Sequence, residues 1–358
     1  MKKILCLIDS LGPGGAQRQL VGLATFLKEK GYEVSVACYH DNQFYLEQLK
    51  RNDIPYIYLE KANNAFLRIW HISRFIRKTK PVVVVSYLET PSICACFARL
   101  FNHSFKLIVS ERNTTQHTGK NERIRFNLFR SADYVVPNAF SQEKYIKDTF
   151  PCLASRTVSI PNFVNLDFFT PVEKKRREIP EIMVAASIWE SKNTLGLIDA
   201  VNMLKQQGHR FHISWYGKSE SNLDYFNQCQ AKITELEVGE FLTLKEKTTK
   251  IKECYQDADL FCLPSFYEGT PNVICEAMAC GLPIVCSDVC DNSKYVIEGK
   301  NGFLFNPHKP ETICDAMINF LSLSEHEYTL FCENSRAIAE AELSKESFVK
   351  SYIKLIES

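Results

Sequence analysis

Two glutamates eight residues apart, Glu268 and Glu276, have the spacing in this sequence that is most informative about chemistry. They follow an apolar run typical of a buried strand, and Thr270-Pro271 predicts a helix start with threonine as N-cap and proline in the first helical position. Gly281 predicts the end of that helix. Glu268 would then lie beside the N–H groups of the helix start, where a diphosphate can bind, and Glu276 about one and a half turns inside.

An ionised carboxylate only accepts hydrogen bonds, so a pair of ribose hydroxyls is a suitable partner for Glu276 among its apolar neighbours. The alternative is that both glutamates are solvated residues that the helix dipole favours at a helix start. The spacing alone leaves both interpretations open.

A glycine-rich loop follows the first predicted strand and opens a helix. Its sequence, from residue 10 to residue 16, includes Gly12, Gly14 and Gly15, and exposed N–H groups at this point can bind a diphosphate. A dinucleotide-binding fingerprint would place a third glycine where Gln17 stands and an acidic residue at a strand end about 20 residues later. Neither is present, so the loop is either a structural turn or a ligand site of another kind.

These candidate residues need a framework, and strands alternate with helical segments throughout the chain. In the first half, seven β-rich runs predict strands, at residues 4–9, 33–39, 55–59, 82–87, 106–110, 134–137 and 157–160. In the second half, six more do so, at residues 182–187, 212–216, 242–244, 259–263, 283–287 and 302–305. This alternation predicts an α/β fold with parallel, doubly wound sheets.

The pattern is interrupted at residues 160–171, and a charged run at 173–178 follows. We interpret this interruption as a domain linker, which predicts one domain at residues 1–167 and a second at 168–344, with a final amphipathic helix in 345–358. The two predicted parts differ in charge. Residues 1–167 carry 23 Lys and Arg against 14 Asp and Glu, and residues 168–358 carry 20 against 28, so the total of +1 conceals values of +9 and −8.

The E-x7-E spacing, the Glu-Gly step, the Glu-Ala-Met-Ala run and the Gly-x-Pro turn together resemble the donor-site signature of the retaining glycosyltransferases of family 4. The resemblance extends over nearly the whole chain. It implies the GT-B fold, in which two Rossmann-like, doubly wound domains face each other across a cleft and the last helix commonly crosses back to the first domain. It also implies that Glu268 contacts the transferred sugar and Glu276 the ribose of the nucleotide.

The resemblance assigns further residues to the donor. In the family an arginine and a lysine five residues apart neutralise the leaving diphosphate; Lys192 matches the lysine, but Ser187 stands at the arginine position. Lys218 is a candidate replacement cation, while an exposed helix-entry lysine is the alternative interpretation of Lys192. The other donor-binding candidates are Gly14, Gly15, Gly217, Gly269, Thr270, Pro271, Asn272 and Val273.

The acceptor side is predicted at the end of strand 106–110, where ligands of open α/β sheets bind. The candidates are Glu111, Arg112, Asn113 and His117, and an ordinary surface loop is the alternative. Two basic segments could contact anionic lipid headgroups, at about 1 kcal/mol for each basic residue. The first contains Arg68, Arg74, Arg77, Lys78 and Lys80, and the second Arg123, Arg125 and Arg130. Core-facing helices with a solvated basic side are the alternative.

Composition narrows the class of protein. No apolar run is long enough to span a membrane and Asp9 interrupts the first one, so we expect a cytoplasmic protein with at most peripheral membrane contact. Several of the 14 cysteines, such as Cys6, Cys38, Cys262 and Cys286, lie in apolar runs and predict buried thiols. Asp257-Ala-Asp259 matches a D-x-D metal motif, but Asp259 begins a predicted buried strand. We therefore expect no metal, no cofactor and no nucleic-acid partner.

The sequence thus predicts a retaining, metal-independent glycosyltransferase. We expect the donor to be a UDP-linked nucleotide sugar that carries a hexose or N-acetylhexosamine. The expected acceptor is a glycan or polyprenyl-linked sugar of a surface polysaccharide such as lipopolysaccharide or capsule. The family favours front-face displacement, in which the leaving phosphate takes the acceptor proton, so no nucleophile is assigned. Two rival hypotheses stay open: a nucleotide-sugar epimerase on the same fold, and a non-catalytic nucleotide-sugar-binding subunit.

Overall fold

The structure, a computed structural model, describes residues 2–59, 64–112, 118–173, 175–218, 222–269 and 271–358. The chain divides into two compact units. Unit 1 comprises Met1–Phe163 and Lys345–Ser358, and unit 2 comprises Val164–Ser344. The predicted boundary between residues 167 and 168 therefore falls just inside unit 2, and the final segment is part of unit 1.

Unit 1 contains a six-stranded parallel sheet. Its strands are β1 (Lys3–Leu7), β2 (Glu33–Cys38), β3 (Tyr56–Tyr58), β4 (Val83–Tyr87), β5 (Lys106–Glu111) and β6 (Tyr134–Pro137). Its helices before the linker are α1 (Gly15–Glu29), α2 (Leu46–Arg51), α3 (Ala65–Thr79), α4 (Glu89–Phe101), α5 (Lys120–Leu128) and α6 (Phe140–Thr149). The strand order is β3-β2-β1-β4-β5-β6, so the winding direction reverses between β1 and β4.

Central strands such as β4, with the sequence VVVSY, are buried along their whole length. Continuous apolar runs of this kind are typical of parallel sheets that helices cover on both faces. The predicted strand at 157–160 is wrong: Thr157 forms only an isolated bridge with Val135. The segment follows a 3-10 helix, and Pro161 has no N–H to continue a ladder.

Unit 2 repeats the architecture. Its strands are β7 (Glu181–Ala185), β8 (His212–Lys218), β9 (Leu242–Glu246), β10 (Leu260–Leu263), β11 (Ile284–Ser287) and β12 (Gly302–Phe305). Its helices are α7 (Thr194–Gln206), α8 (Leu223–Glu235), α9 (Ile251–Asp257), α10 (Asn272–Ala279), α11 (Asn292–Tyr295), α12 (Pro310–Leu321) and α13 (Glu325–Glu342). The order β12-β11-β10-β7-β8-β9 reverses between β7 and β10.

The last helix, α14 (Lys345–Glu357), completes the core of unit 1. Tyr352 on this helix is fully buried, and the ring of Phe348 lies 5.1 Å from that of Phe163. Among the described residues, no helix is long and apolar enough to cross a lipid bilayer.

The prediction of buried thiols is confirmed at Cys6, Cys38, Cys262 and Cys286. Burial raises the pKa of the Cys6 thiol to about 12 and that of Cys262 further still. These thiols therefore stay protonated and unreactive at neutral pH.

Candidate active site

In unit 2 the two predicted catalytic residues follow the two strands between which the winding reverses. Lys192 ends a short 3-10 turn after β7, and Glu268 lies in the loop after β10. Ligands of open α/β sheets bind outside the carboxyl ends of the strands at this position. The structure brings the two side chains together, with Lys192 Nζ 2.5 Å from Glu268 Oε1.

This ion pair is largely shielded from solvent. The side chain of Glu268 is 13% exposed and that of Lys192 is 25% exposed. The hydroxyl of the buried Ser265 donates to the same glutamate oxygen at 2.6 Å. A lysine ammonium has three donors, so Lys192 can hold Glu268 and still donate to a phosphate oxygen. Ser187, at the position where the family has arginine, follows β7 and is half-buried.

Helix α10 begins at Asn272, one residue later than predicted. Pro271 is its N-cap rather than its first helical residue, since its ψ is 89° and its carbonyl accepts the first helical bond from Cys275 N at 3.1 Å. Thr270, the predicted N-cap, lies outside the described residues. The predicted end is confirmed: Gly281 has a φ of +76° and donates its N–H to Met278 O at 2.9 Å.

Glu276 lies inside α10 and is only 5% exposed. The hydroxyl of Tyr255, which ends a buried side chain of α9, donates to Glu276 Oε2 at 3.2 Å. No sequence pattern indicates this partner, because a tyrosine in an amphipathic helix gives no local sign of its contact. A carboxylate has about four acceptor positions, and the Tyr255 hydroxyl takes one of them.

The remaining donor candidates of unit 2 divide into two groups. Asn272 and Val273 form the half-buried first turn of α10, directly after Gly269 and the loop of Glu268. Gly217 has a structural role, since it lies at a bulge in β8 where a Cβ would come within 1.7 Å of Ala186 O. Its neighbour Lys218 is engaged away from the Lys192–Glu268 pair, with its Nζ 2.9 Å from Glu246 Oε1.

The D-x-D motif serves packing at the opposite end of the strands. Arg177 forms ion pairs with both Asp257 and Asp259, and Asp259 also accepts from Glu181 N at 2.9 Å. These contacts support the structural interpretation of the motif. Among the described residues, no group of three or more His, Cys, Asp or Glu side chains is arranged to hold a metal ion.

In unit 1 the glycine loop follows β1, which borders the reversal point of that sheet. Gly14 is the N-cap of α1 and Gly15 is its first residue. Asp9 Oδ1 accepts from Ser10 N at 2.6 Å and from Gln17 Nε2 at 3.1 Å. The side chain of Gln17, which replaces the glycine of a dinucleotide fingerprint, therefore stabilises the loop.

The described acceptor-side candidates, Glu111 and Arg112, contact other side chains of unit 1. Glu111 is buried and lies 3.7 Å from Arg125 Nε. Arg112 donates to Asn162 Oδ1 at 2.6 Å and to Tyr352 Oη at 2.7 Å. Asn113 and His117 lie outside the described residues.

Arg112 also stacks on the ring of Tyr87, with its guanidinium carbon 4.0 Å from the ring centroid. We call Arg112, Asn162, Tyr87 and Tyr352 the Arg112 cluster. The Tyr87 and Tyr352 hydroxyls are 2.8 Å apart. Burial raises the pKa of Tyr87 well above its usual value, so its hydroxyl stays neutral and able to donate. Arg112 is thus fixed by α14, a contact that no local sequence pattern could have indicated.

Comparison with known proteins places both units in glycosyltransferase families. Residues 13–168 match the model of glycosyltransferase family 4, and residues 167–337 match that of glycosyl transferases group 1. An uncharacterized glycosyltransferase of Haemophilus influenzae is 24% identical over 356 residues, covering 95% of this chain and 96% of the relative. A Campylobacter jejuni GalNAc-alpha-(1->4)-GalNAc-alpha-(1->3)-diNAcBac-PP-undecaprenol alpha-1,4-N-acetyl-D-galactosaminyltransferase is 26% identical over 322 residues, covering 83% and 82%.

Solved structures support the fold. A glycosyltransferase from Rickettsia africae has a TM-score of 0.87 at 15% identity, covering 99% of this chain and 98% of that one. Anabaena HepE in complex with UDP has a TM-score of 0.86 at 18% identity, with both chains covered completely. The chain therefore belongs to the glycosyltransferases of the GT-B fold, with a family 4 domain followed by a group 1 domain.

Proposed function

We propose that this glycosyltransferase is retaining and metal-independent and transfers a hexose or N-acetylhexosamine from a UDP-sugar to a lipid-linked or other glycan in bacterial surface-polysaccharide assembly. The observation that carries the proposal is the meeting of Lys192 and Glu268 at the reversal point of the unit 2 sheet, beside the start of α10. The names of the relatives support it, since one acts on an undecaprenol-linked glycan and the HepE structures contain UDP and UDP-glucose.

Each residue has a role in this reaction. Lys192 and the N–H groups of the α10 start would stabilise the charge that develops on the departing diphosphate. Glu268 would bind hydroxyls of the transferred sugar, and Glu276 those of the ribose. Because Ser187 carries no charge, Lys192 is the cation that we assign to the diphosphate, and the helix start supplies the other donors.

The chemical step would be a front-face displacement. The acceptor oxygen forms a bond to the anomeric carbon while the bond from that carbon to the phosphate oxygen breaks. The acceptor proton passes to the leaving phosphate, and UDP is the second product. No carboxylate nucleophile is needed, so the ion-paired Glu268 is left to position the sugar.

Helix α3 is the surface that we assign to lipid contact. Phe66, Leu67 and Trp70 on this helix are 82%, 52% and 52% exposed. The guanidinium carbon of Arg74 lies 5.2 Å from the Trp70 ring centroid, and Arg77, Lys78 and Lys80 are exposed. Exposed aromatic residues next to basic ones are suited to the boundary between headgroups and acyl chains.

Two residues of the predicted basic set do not belong to this surface. The Arg125 side chain is buried and paired with Glu89 and Glu111. Arg68 is half-buried, with its guanidinium carbon 4.8 Å from the Tyr39 ring centroid. The prediction that Arg125 contacts headgroups is therefore wrong, because a buried, doubly paired guanidinium is not available to lipid.

The decisive experiment is a transfer assay. Purified protein is incubated with UDP-glucose, UDP-galactose, UDP-GlcNAc or UDP-GalNAc, with and without undecaprenyl-diphosphate-linked GlcNAc, and UDP release and product linkage are measured. Acceptor-dependent UDP release with an α-linked product supports the proposal. Conversion of the UDP-sugar to its epimer without acceptor would indicate the epimerase, and binding of UDP-sugar without release of UDP would indicate the non-catalytic subunit.

A further inference from the structure

A polar cavity opens at the carboxyl ends of β11 and β12. It has a volume of about 460 Å³, and its lining includes Asp288 after β11 and Asn306, His308 and Thr312 after β12. Ligand pockets commonly have volumes of about 300–1,000 Å³. Strands β10, β11 and β12 are consecutive neighbours in the sheet, so the cavity and Glu268 share one edge at a spacing of about 5 Å per strand.

Two contacts join the wall of this cavity to the loops that carry Lys192 and Glu268. The ring of His308 stacks on that of Phe266, two residues before Glu268, with centroids 4.9 Å apart. Asn193, next to Lys192, donates its Nδ2 to Pro307 O at 2.7 Å.

The polar side chains that line the cavity differ in their hydrogen bonds within the protein. Thr312 Oγ1 bonds to backbone atoms of Asn306 and Lys309, and Asn306 Oδ1 accepts from His308 N at 3.0 Å. Asp288, in contrast, is exposed, and no Lys, Arg or His of the described residues lies within 4.0 Å of its carboxylate. This carboxylate is free to accept hydrogen bonds from a ligand.

The charge of the lining identifies the class of ligand. As far as the described residues line it, the cavity carries one carboxylate and neither lysine nor arginine. A diphosphate would be repelled by Asp288, whereas neutral hydroxyls donate well to a carboxylate. A pyranose ring with several free hydroxyls fits both the chemistry and the size.

We propose that this cavity binds the hydroxyls of the transferred sugar and that Asp288 helps to select which UDP-sugar is used. The proposal rests on the proposed function, in which Glu268 contacts the same sugar. Glu268 would bind one side of the ring, and Asp288 would accept from hydroxyls on the side nearer β12. The UDP part would lie outside this cavity.

The test compares the affinity for UDP-sugars with the affinity for UDP alone. Affinities for UDP and for UDP-glucose, UDP-galactose, UDP-GlcNAc and UDP-GalNAc are measured by calorimetry with the wild type, Asp288→Asn and Asp315→Asn. The last is a control, because Asp315 is an exposed carboxylate of the neighbouring helix α12. We expect Asp288→Asn to lose about tenfold or more in affinity for the preferred UDP-sugar and less than about twofold for UDP, a scale set by hydrogen bonds to charged groups.

Three results would overturn the inference: unchanged UDP-sugar affinity in Asp288→Asn, an equal loss for UDP, or an equal loss in the Asp315→Asn control. Thermal unfolding of each variant checks that the fold is intact, and Asp288→Glu, which keeps the acceptor, should recover part of the affinity. If the wild type binds neither UDP nor any UDP-sugar, the proposed function itself fails. Binding of UDP-sugars without a differential effect of Asp288→Asn rejects only the sugar subsite.

Discussion

The two units have sheets of the same topology but different chemistry at the reversal point. Read from one edge, the orders β3-β2-β1-β4-β5-β6 and β9-β8-β7-β10-β11-β12 are equivalent. In unit 2 this position carries the Lys192–Glu268 ion pair, whereas in unit 1 the end of β1 carries Asp9 and a glycine loop. The framework therefore fixes where a site lies, and the loops at the strand ends decide what it binds.

The units also differ in charge. Unit 1 carries 26 Lys and Arg against 15 Asp and Glu, a balance of +11, and unit 2 carries 17 against 27, a balance of −10. The contrast is larger than the +9 and −8 that division after residue 167 gives, because the segment from residue 345, with three Lys and two Glu, belongs to unit 1 and Asp167 belongs to unit 2. Unit 1 thus has the net charge suited to an anionic surface, whereas the proposed diphosphate site of the acidic unit 2 depends on a local cation, Lys192.

The largest expected effect tests the assignment of catalysis to unit 2. Replacing Lys192 by alanine removes a cation aimed at the leaving diphosphate, and kcat should fall by about 100-fold to 1,000-fold, as for loss of one preorganised donor. The matched control is Lys232→Ala, which breaks another partly buried pair of unit 2, with Asp199 at 2.6 Å. Similar kcat losses in the two variants would mean that Lys192 matters only for folding.

The assignment of lipid contact to unit 1 is tested by changing Arg74, Arg77, Lys78 and Lys80 to serine. Affinity for anionic vesicles should fall roughly 100-fold at low salt, because each cation near such a surface contributes up to about 1 kcal/mol. Co-sedimentation with anionic and neutral vesicles measures this. Serine at Lys144 and Lys147, which are paired with acids on α6, is the control, and equal binding of both variants would reject α3 as the contact.

Within unit 2, the two glutamates should act on different parts of the donor. Glu276→Ala should weaken UDP binding by about 1–3 kcal/mol, the range for charged hydrogen bonds, while Glu268→Ala should leave UDP affinity nearly intact and reduce transfer strongly. Calorimetry with UDP separates the two. Tyr255→Phe is the control for indirect effects through the Glu276 hydrogen bond, and a UDP affinity in Glu276→Ala equal to that of wild type would refute the ribose assignment.

Within unit 1, the Arg112 cluster should act on stability. Tyr352→Phe removes the hydroxyl that accepts from Arg112, and the free energy of unfolding should fall by about 1 kcal/mol or somewhat more, because a buried donor loses its partner. Equilibrium unfolding of the whole chain in urea measures this change. In the control, Tyr134→Phe, the lost hydroxyl bonds to the exposed Ser358 side chain, and a loss of the same size there would contradict the special role of the cluster.

The smallest expected effect is that of a chelator. Because the proposed mechanism stabilises the diphosphate with Lys192 and the α10 start, activity should be the same in EDTA as in buffer with Mg²⁺ or Mn²⁺. A strict requirement for either ion would reverse this assignment and reopen the search for its ligands.

The sequence was informative where structure is local. The strands of both sheets, apart from the one at 157–160, and the end of α10 at Gly281 follow from apolar runs and from a glycine in the left-handed region. Contacts between distant residues were not predictable in this way. Arg112 meets Tyr352, 240 residues later, and Glu276 meets Tyr255 from another helix, and neither pairing leaves a periodic pattern.

The placement of α14 has a consequence for the order of events during synthesis. Helix α14 is translated after all of unit 2, yet it completes the core of unit 1, with Tyr352 and Phe348 packing against segments made much earlier. Until α14 has been translated, the core of unit 1 lacks the side chains of this helix and part of its apolar surface stays uncovered. Domains usually mature from the N-terminus, but in this chain the unit encoded in the middle is the first that can finish folding.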